Sequence, residues 1–156
     1  MICFHNPDEE NGYLSNWYLS DFCDGSIVFS SMEQYMMFQK AVLFNDVQVA
    51  KKILSTMDVR KIKELGRSVH NFNDEIWDRY KEDIVIRGLY MKFSQNADLR
   101  YMLLATGTDI IAECAVHDKI WGIGLSMSDP NRFNINKWRG QNLLGKALMV
   151  VRETLM

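Results

Sequence analysis

The sequence predicts an α+β protein, mainly α-helical, with a few short strands and a single compact domain over residues 1–156. Three observations predict it. Long stretches free of Gly and Pro carry apolar residues at helical spacing. Strand-like runs are short and confined to the first thirty residues and a segment near residue 110. A length of 156 residues with no Pro-, Gly- or Ser-rich linker suits one core. The apolar share of 47% is ample for that core, and the charged share of 24% is ordinary for a wet surface, so a disordered chain is excluded.

The elements follow in order. Residues 2–4 and 27–29 favour extended structure, and Asn6-Pro7, Asn11-Gly12 and Asp24-Gly25 between them favour turns. From Ser31 the pattern turns helical through Met36, Met37, Phe38, Ala41 and Leu43. Asp46, Asp58 and Asn73 stand where N-cap side chains open three further helices, and Gly66 is placed to end the second of these. Ile76, Tyr80, Ile84 and Leu89 recur at roughly the spacing of one helix face, predicting the longest helix over 74–93. A short helix follows from Asn96 to Thr106, closed by Gly107. Ile110, Ile111, Cys114 and Val116 predict a strand over 109–116, and 142–155 reads as the closing helix. Between the last two lies 122–141, long for a plain connection, with Arg132, Lys137, Trp138 and Arg139 in it; such loops are commonly functional.

Composition removes several classes of function. Cys3, Cys23 and Cys114 show no C-x-x-C spacing, and His5, His70 and His117 are scattered, so no metal and no cofactor are expected. A net charge of −2 gives no bulk attraction for polyanions. The longest apolar run, near 147–151, is far too short to cross a bilayer, and acidic residues occupy the amino-terminal region, so a cytoplasmic protein without a membrane partner is expected. Neither a nucleophile elbow nor a P-loop occurs.

Three segments carry candidate chemistry. In 30–40, Glu33 and Lys40 are seven residues apart, which at 100° per residue places them about 20° from eclipsed on one helix face. A carboxylate and an amine then share a cleft, although Ser30-x-x-Glu33 is equally a capping box in which Glu33 serves only the helix start. In 117–124, Asp118, Trp121, Gly122 and Gly124 suit a pocket, because Gly lets backbone approach a ligand and Trp offers a stacking face. Asp118 capping a turn and Trp121 filling core are the structural alternatives. In 140–156, Asn142 opens a helix whose N-terminal amides suit a phosphate, with packing as the alternative for the rest of the helix. Trp77 sits in a helical pattern, where a core role competes with stacking.

The ordered set GYLSNWY (12–18), SMEQYMMFQKA (31–41), LGRSV (65–69), Trp77, KFSQNADLRYMLLATG (92–107), IAECAVHDKIWGIG (111–124) and GQNLLGKALMVVRETL (140–155) resembles the NADAR family over nearly the whole chain. The resemblance implies a mainly helical α+β fold and hydrolysis of the N-glycosidic bond of a phosphorylated riboside. The substrate it implies is a phosphoribosylated pyrimidine intermediate of riboflavin synthesis or an ADP-ribosylated guanine, with nucleic acid entering only as the modified substrate. It implies Glu33, Lys40 and Asp118 as catalytic residues, and Asn16, Arg67, Trp77, Trp121, Gly122 and Asn142 as substrate-binding residues. Lys40 then either binds phosphate or attacks the anomeric carbon and passes through a Schiff base. Two departures stand out: Gln34 follows Glu33 where the family often has His, and 122–141 is longer than in compact bacterial forms. The rival class is a noncatalytic module that binds ADP-ribose or a nucleotide.

Overall fold

The computed structural model describes residues 1–156 and has the expected class, with six α-helices and four short strands. The chain divides into two compact units, one of residues 19–95 and one of residues 1–18 with 96–156.

In the unit of residues 19–95, strands β1 (Leu19–Asp24) and β2 (Ile27–Ser31) form an antiparallel hairpin. Gly25-Ser26, just after Asp24, makes its turn, and Gly25 takes φ 60°, where a side chain is strained. The first of these strands was not foreseen, because in LSDFCD only Phe22 is fully buried and the apolar alternation is thin. The hairpin runs straight into α1 (Met32–Leu43), followed by α2 (Val47–Leu54), α3 (Val59–Arg67) and α4 (Asp74–Gln95). Helix α1 is central and packs on the other three. Its Tyr35 joins Phe22 and Phe29 in a ring cluster, with Phe29 and Tyr35 centroids 5.1 Å apart and edge-on.

The expected caps at Asp46, Asp58 and Asn73 all form: their side-chain oxygens accept from Val49, from Arg60 and Lys61, and from Ile76 N–H respectively. Gly66 does not end its helix. It lies inside the last turn of α3, where an added Cβ would fall 2.0 Å from Met37 Sδ, so its bareness serves the approach of α3 to α1. Gly88 does the same for α4 against Tyr35 and Met32.

In the other unit, β3 (Ile2–Phe4) and β4 (Ile111–Glu113) pair in parallel, with Cys3 opposite Ala112. The strand predicted over 109–116 is shorter because its partner offers only three residues; Cys114 N–H makes the last bond to Phe4 C=O at 2.8 Å. Helices α5 (Ala97–Ala105) and α6 (Leu143–Leu155) pack together, and α6 lies on β4. Gly107, at φ 60°, follows α5 as expected. No helix is long and apolar enough to cross a membrane.

Candidate active site

Helix α1 begins at Ser31, whose hydroxyl accepts from Gln34 N–H at 3.1 Å. The residue that reaches back is therefore Gln34, not Glu33. Gln34 Oε1 accepts from Ser30 N–H at 2.7 Å, while its Nε2 donates to Ile53 C=O at 3.0 Å and Thr56 C=O at 2.9 Å. The capping alternative for Glu33 falls with this geometry, and the unusual Gln34 acquires a structural task, tying the start of α1 to the end of α2. Glu33 is 7% exposed. A carboxylate withdrawn from water without a capping role needs another reason to be there.

One reason lies seven residues on. Lys40 is half-buried, with Nζ 4.5 Å from the centroid of the Phe72 ring and 5.8 Å from that of Trp77. Burial pushes its pKa below the usual lysine range; the Glu33 and Asp74 carboxylates pull it back up, and the Arg67 guanidinium presses it down. Glu33, Lys40, Arg67 and Trp77, all expected from the sequence, thus belong to one electrostatic and packing cluster with Phe72 and Asp74. Trp77 is buried in the first turn of α4, where its N–H donates to Asn73 C=O. Arg67 ends α3 with an exposed side chain.

Phe72 is placed by its own loop. Asp46, at the cap of α2, accepts from His70 N–H and pairs with His70 Nδ1, both at 2.9 Å, through the oxygen that the cap leaves free. The His70 backbone and ring, together with Val49 N–H, hold the Asp46 carboxyl down at about 2. Asn71 then takes φ 59°, and Phe72 meets the Phe44 ring edge-on at 5.3 Å.

The other expected residues lie in the unit that contains β4 and α6. Asp118 Oδ1 accepts from Ile120 N–H at 3.0 Å and Trp121 N–H at 2.8 Å, so this carboxylate shapes the turn that carries half-buried Trp121. Gly122 is packed rather than open, since a Cβ there would lie 2.9 Å from both Ala115 Cβ and Asp118 O. Asn142 corrects an expectation. Its side chain does not cap α6 but clamps β4, accepting from Glu113 N–H at 3.0 Å and donating to Ile111 C=O at 2.9 Å. The amides of Asn142, Leu143 and Leu144 are taken by the carbonyls of Gly122, Ile120 and Trp121, so these three donors are spent on the fold. Asn16 is different: it is 9% exposed and its Oδ1 has no hydrogen-bond partner, as a ligand-directed amide would be. In the loop 122–141, Arg132 donates to Asp129 C=O and stacks on Phe133 at 4.1 Å, and Trp138 Nε1 donates to Arg132 C=O, so Arg132 organises the loop's own fold.

The profile of the NADAR domain matches residues 3–156. The chain belongs to the NADAR family. Among its relatives, it is 53% identical to N-glycosidase R617 of Acanthamoeba polyphaga mimivirus, over 97% of this chain and 94% of that one. It is 31% identical to riboflavin biosynthesis protein VVA0006 of Vibrio vulnificus strain YJ016, covering 99% of this chain but only 38% of that protein. Among solved structures it resembles the NMR structure of the Escherichia coli protein YbiA, with a TM-score of 0.81 and 27% identity over 99% of this chain and 83% of that one. This NADAR protein is accordingly an N-glycosidase, and its central helix buries the polar Glu33 and Gln34 and half-buries Lys40.

Sequence reasoning missed Phe72, Asp74 and the Asp46–His70 pair around Lys40. Nothing in a linear pattern links His70 to Asp46, which is 24 residues away. It also missed Lys92, which is fully buried, with Nζ 5.0 Å from the Phe93 ring centroid and burial holding its pKa down to about 7. Here a signal existed. Trp77, Lys81, Val85, Gly88, Leu89, Lys92 and Phe93 form the buried stripe of α4, and two of them, Lys81 and Lys92, are charged.

Proposed function

We propose that this NADAR protein hydrolyses the N-glycosidic bond of a phosphorylated riboside, with a phosphoribosylaminopyrimidine of the riboflavin pathway as its first candidate substrate and an ADP-ribosylated guanine as the second. The observation that carries the reading is the Lys40 amine, part-withdrawn from water between two aromatic rings and within the field of a buried Glu33. A lysine that binds phosphate must stay protonated. An amine whose burial favours its neutral form is suited to attack carbon.

In this mechanism the Lys40 nitrogen lone pair attacks the anomeric carbon as the bond to the base breaks, and the departing base nitrogen gains a proton. The Glu33 carboxylate offsets the positive charge that develops on the ribose. The ring C–O bond of the lysine adduct then opens, its oxygen takes a proton, and a C=N bond forms to Lys40. Water adds to that carbon and expels the amine, releasing ribose phosphate and restoring the enzyme. Asn16, with its unpartnered oxygen, and Trp121, on the turn shaped by Asp118, are assigned to substrate binding. Asp118 is thereby a positioning residue. Arg67, exposed beside Lys40 in charge terms, is the phosphate candidate.

Incubation with a panel of N-ribosides, followed by identification of the released base and sugar, tests the proposal. Release of the pyrimidine from the phosphoriboside, with slower release from its dephosphorylated form, is the expected result. Equal cleavage of both forms removes the phosphate requirement, and binding of every substrate without release of any base assigns the protein to the noncatalytic class.

A further inference from the structure

The loop between α3 and α4 has a construction that the reaction alone does not require. It is fixed at His70, whose backbone N–H and ring both engage Asp46 at 2.9 Å, and two residues later it lays Phe72 against Phe44 and beside the Lys40 amine. Asn73 then caps α4, so Trp77 is held in the turn that follows. Phe72 itself is 39% exposed. An apolar ring left that open at the edge of a polar cluster covers something, and the group beneath it is the Lys40 ammonium.

We propose that Phe72, held in place by the Asp46–His70 clasp, is a positioning residue that keeps water off the Lys40 amine and fixes it against Trp77. This inference rests on the reading of Lys40 as the nucleophile. Two effects of the rings oppose each other: their faces attract a cation, while their bulk strips it of water. Burial is the largest influence on Lys40, and it outweighs the attraction of Glu33 on the same helix and of Asp74 on α4, while Arg67 on α3 acts in the same direction as burial. The clasp contributes indirectly. Asp46 and His70 form a pair of their own, and their loop sets how closely Phe72 approaches.

The test reads the amine without substrate. Competitive acylation of the whole protein at a series of pH values, with the Lys40 peptide quantified by mass spectrometry, gives the midpoint at which Lys40 becomes nucleophilic. Phe72→Ala is expected to raise this midpoint by about one pH unit, and to lower kcat at neutral pH about tenfold with little change in KM, because each unit removes about nine-tenths of the neutral amine. Phe72→Leu, which still excludes water, is expected to keep the parent midpoint. His70→Ala alters a side chain that is 81% exposed, so the fold should tolerate it, and the midpoint should move upward by a smaller amount. Parent midpoints in both Phe72→Ala and His70→Ala overturn the inference, and if Phe72→Ala does not fold, a parent midpoint in His70→Ala does so alone. Lys40→Arg retaining parent turnover refutes the nucleophile reading instead, whatever the acylation midpoints show.

Discussion

At Gln34 a buried side chain joins three backbone groups, the Ser30 amide and the Ile53 and Thr56 carbonyls. Gln34→Ala strands all three, and a buried polar group left unpaired costs about 1–3 kcal/mol, so this variant should melt well below the parent protein. Glu33→Gln keeps the shape and removes only the charge. It should melt within a few degrees of the parent while turnover falls by about two orders of magnitude or more, in the range typical of a lost electrostatic group. Calorimetry beside a steady-state assay checks both, and the reverse pattern would return Glu33 to the role of a cap. The Ser-x-x-Glu spelling was legible in the sequence. Its meaning was not, because Ser30 and Ser31 are adjacent and each offers a capping box, one ending at Glu33 and one at Gln34.

Helix α1 depends on bare backbone in the helices around it. A Cβ at Gly88 would fall 2.5 Å from Tyr35 Cδ1 and 2.7 Å from Met32 Sδ, so Gly88→Ala must push α4 away from α1 or turn both side chains. Overpacking of this kind costs about 1–3 kcal/mol, and because α1 carries Glu33 and Lys40, activity should fall along with the melting temperature. Lys92 on the same α4 gives a pH signature. Its pKa is lowered on folding, so between about 7 and the ordinary lysine value the unfolded chain binds the extra proton and stability rises with pH. Relative to Lys92→Met, the parent should gain up to about 1.4 kcal/mol per pH unit across that window in chemical denaturation, and parallel curves would show that Lys92 stays charged when folded.

Helices were the readable part of the fold, since caps are local and strong, although the face expected from Ile76, Tyr80, Ile84 and Leu89 is not the one α4 buries: Trp77, Lys81 and Val85 are buried and Tyr80 is exposed. The expected starts at Asp46, Asp58 and Asn73 coincide with α2, α3 and α4. The strands were less legible because their length is decided by a distant partner: Ile111–Glu113 ends where Ile2–Phe4 does. The role of Gly66 is illegible for a similar reason. Gly66 resembles a helix terminator in sequence, and only the approach of Met37 reveals its purpose.

Over the whole chain, the expected site residues divide between the two compact units. Glu33, Lys40, Arg67 and Trp77 lie in residues 19–95, whereas Asn16, Asp118, Trp121, Gly122 and Asn142 lie in the other unit. The motifs marked both groups, but they could not separate side chains with free chemistry from those spent on the fold. Asn142 is fully engaged by Ile111 and Glu113, while Asn16 keeps an unpartnered oxygen. That difference is one of hydrogen-bond accounting in three dimensions. Both residues are buried Asn near a Gly in sequence, so residue type alone carried no signal.

In the proposed mechanism Lys40 becomes covalently bound to the sugar during turnover. Borohydride added during turnover of the phosphoriboside reduces any lysine–sugar imine to a stable secondary amine, which digestion and mass spectrometry then assign to a residue. The expected result is loss of activity in step with one ribose phosphate adduct on the peptide containing Lys40, and no adduct in Lys40→Arg. Turnover that continues unimpaired under borohydride, with Lys40 recovered unmodified, would contradict it.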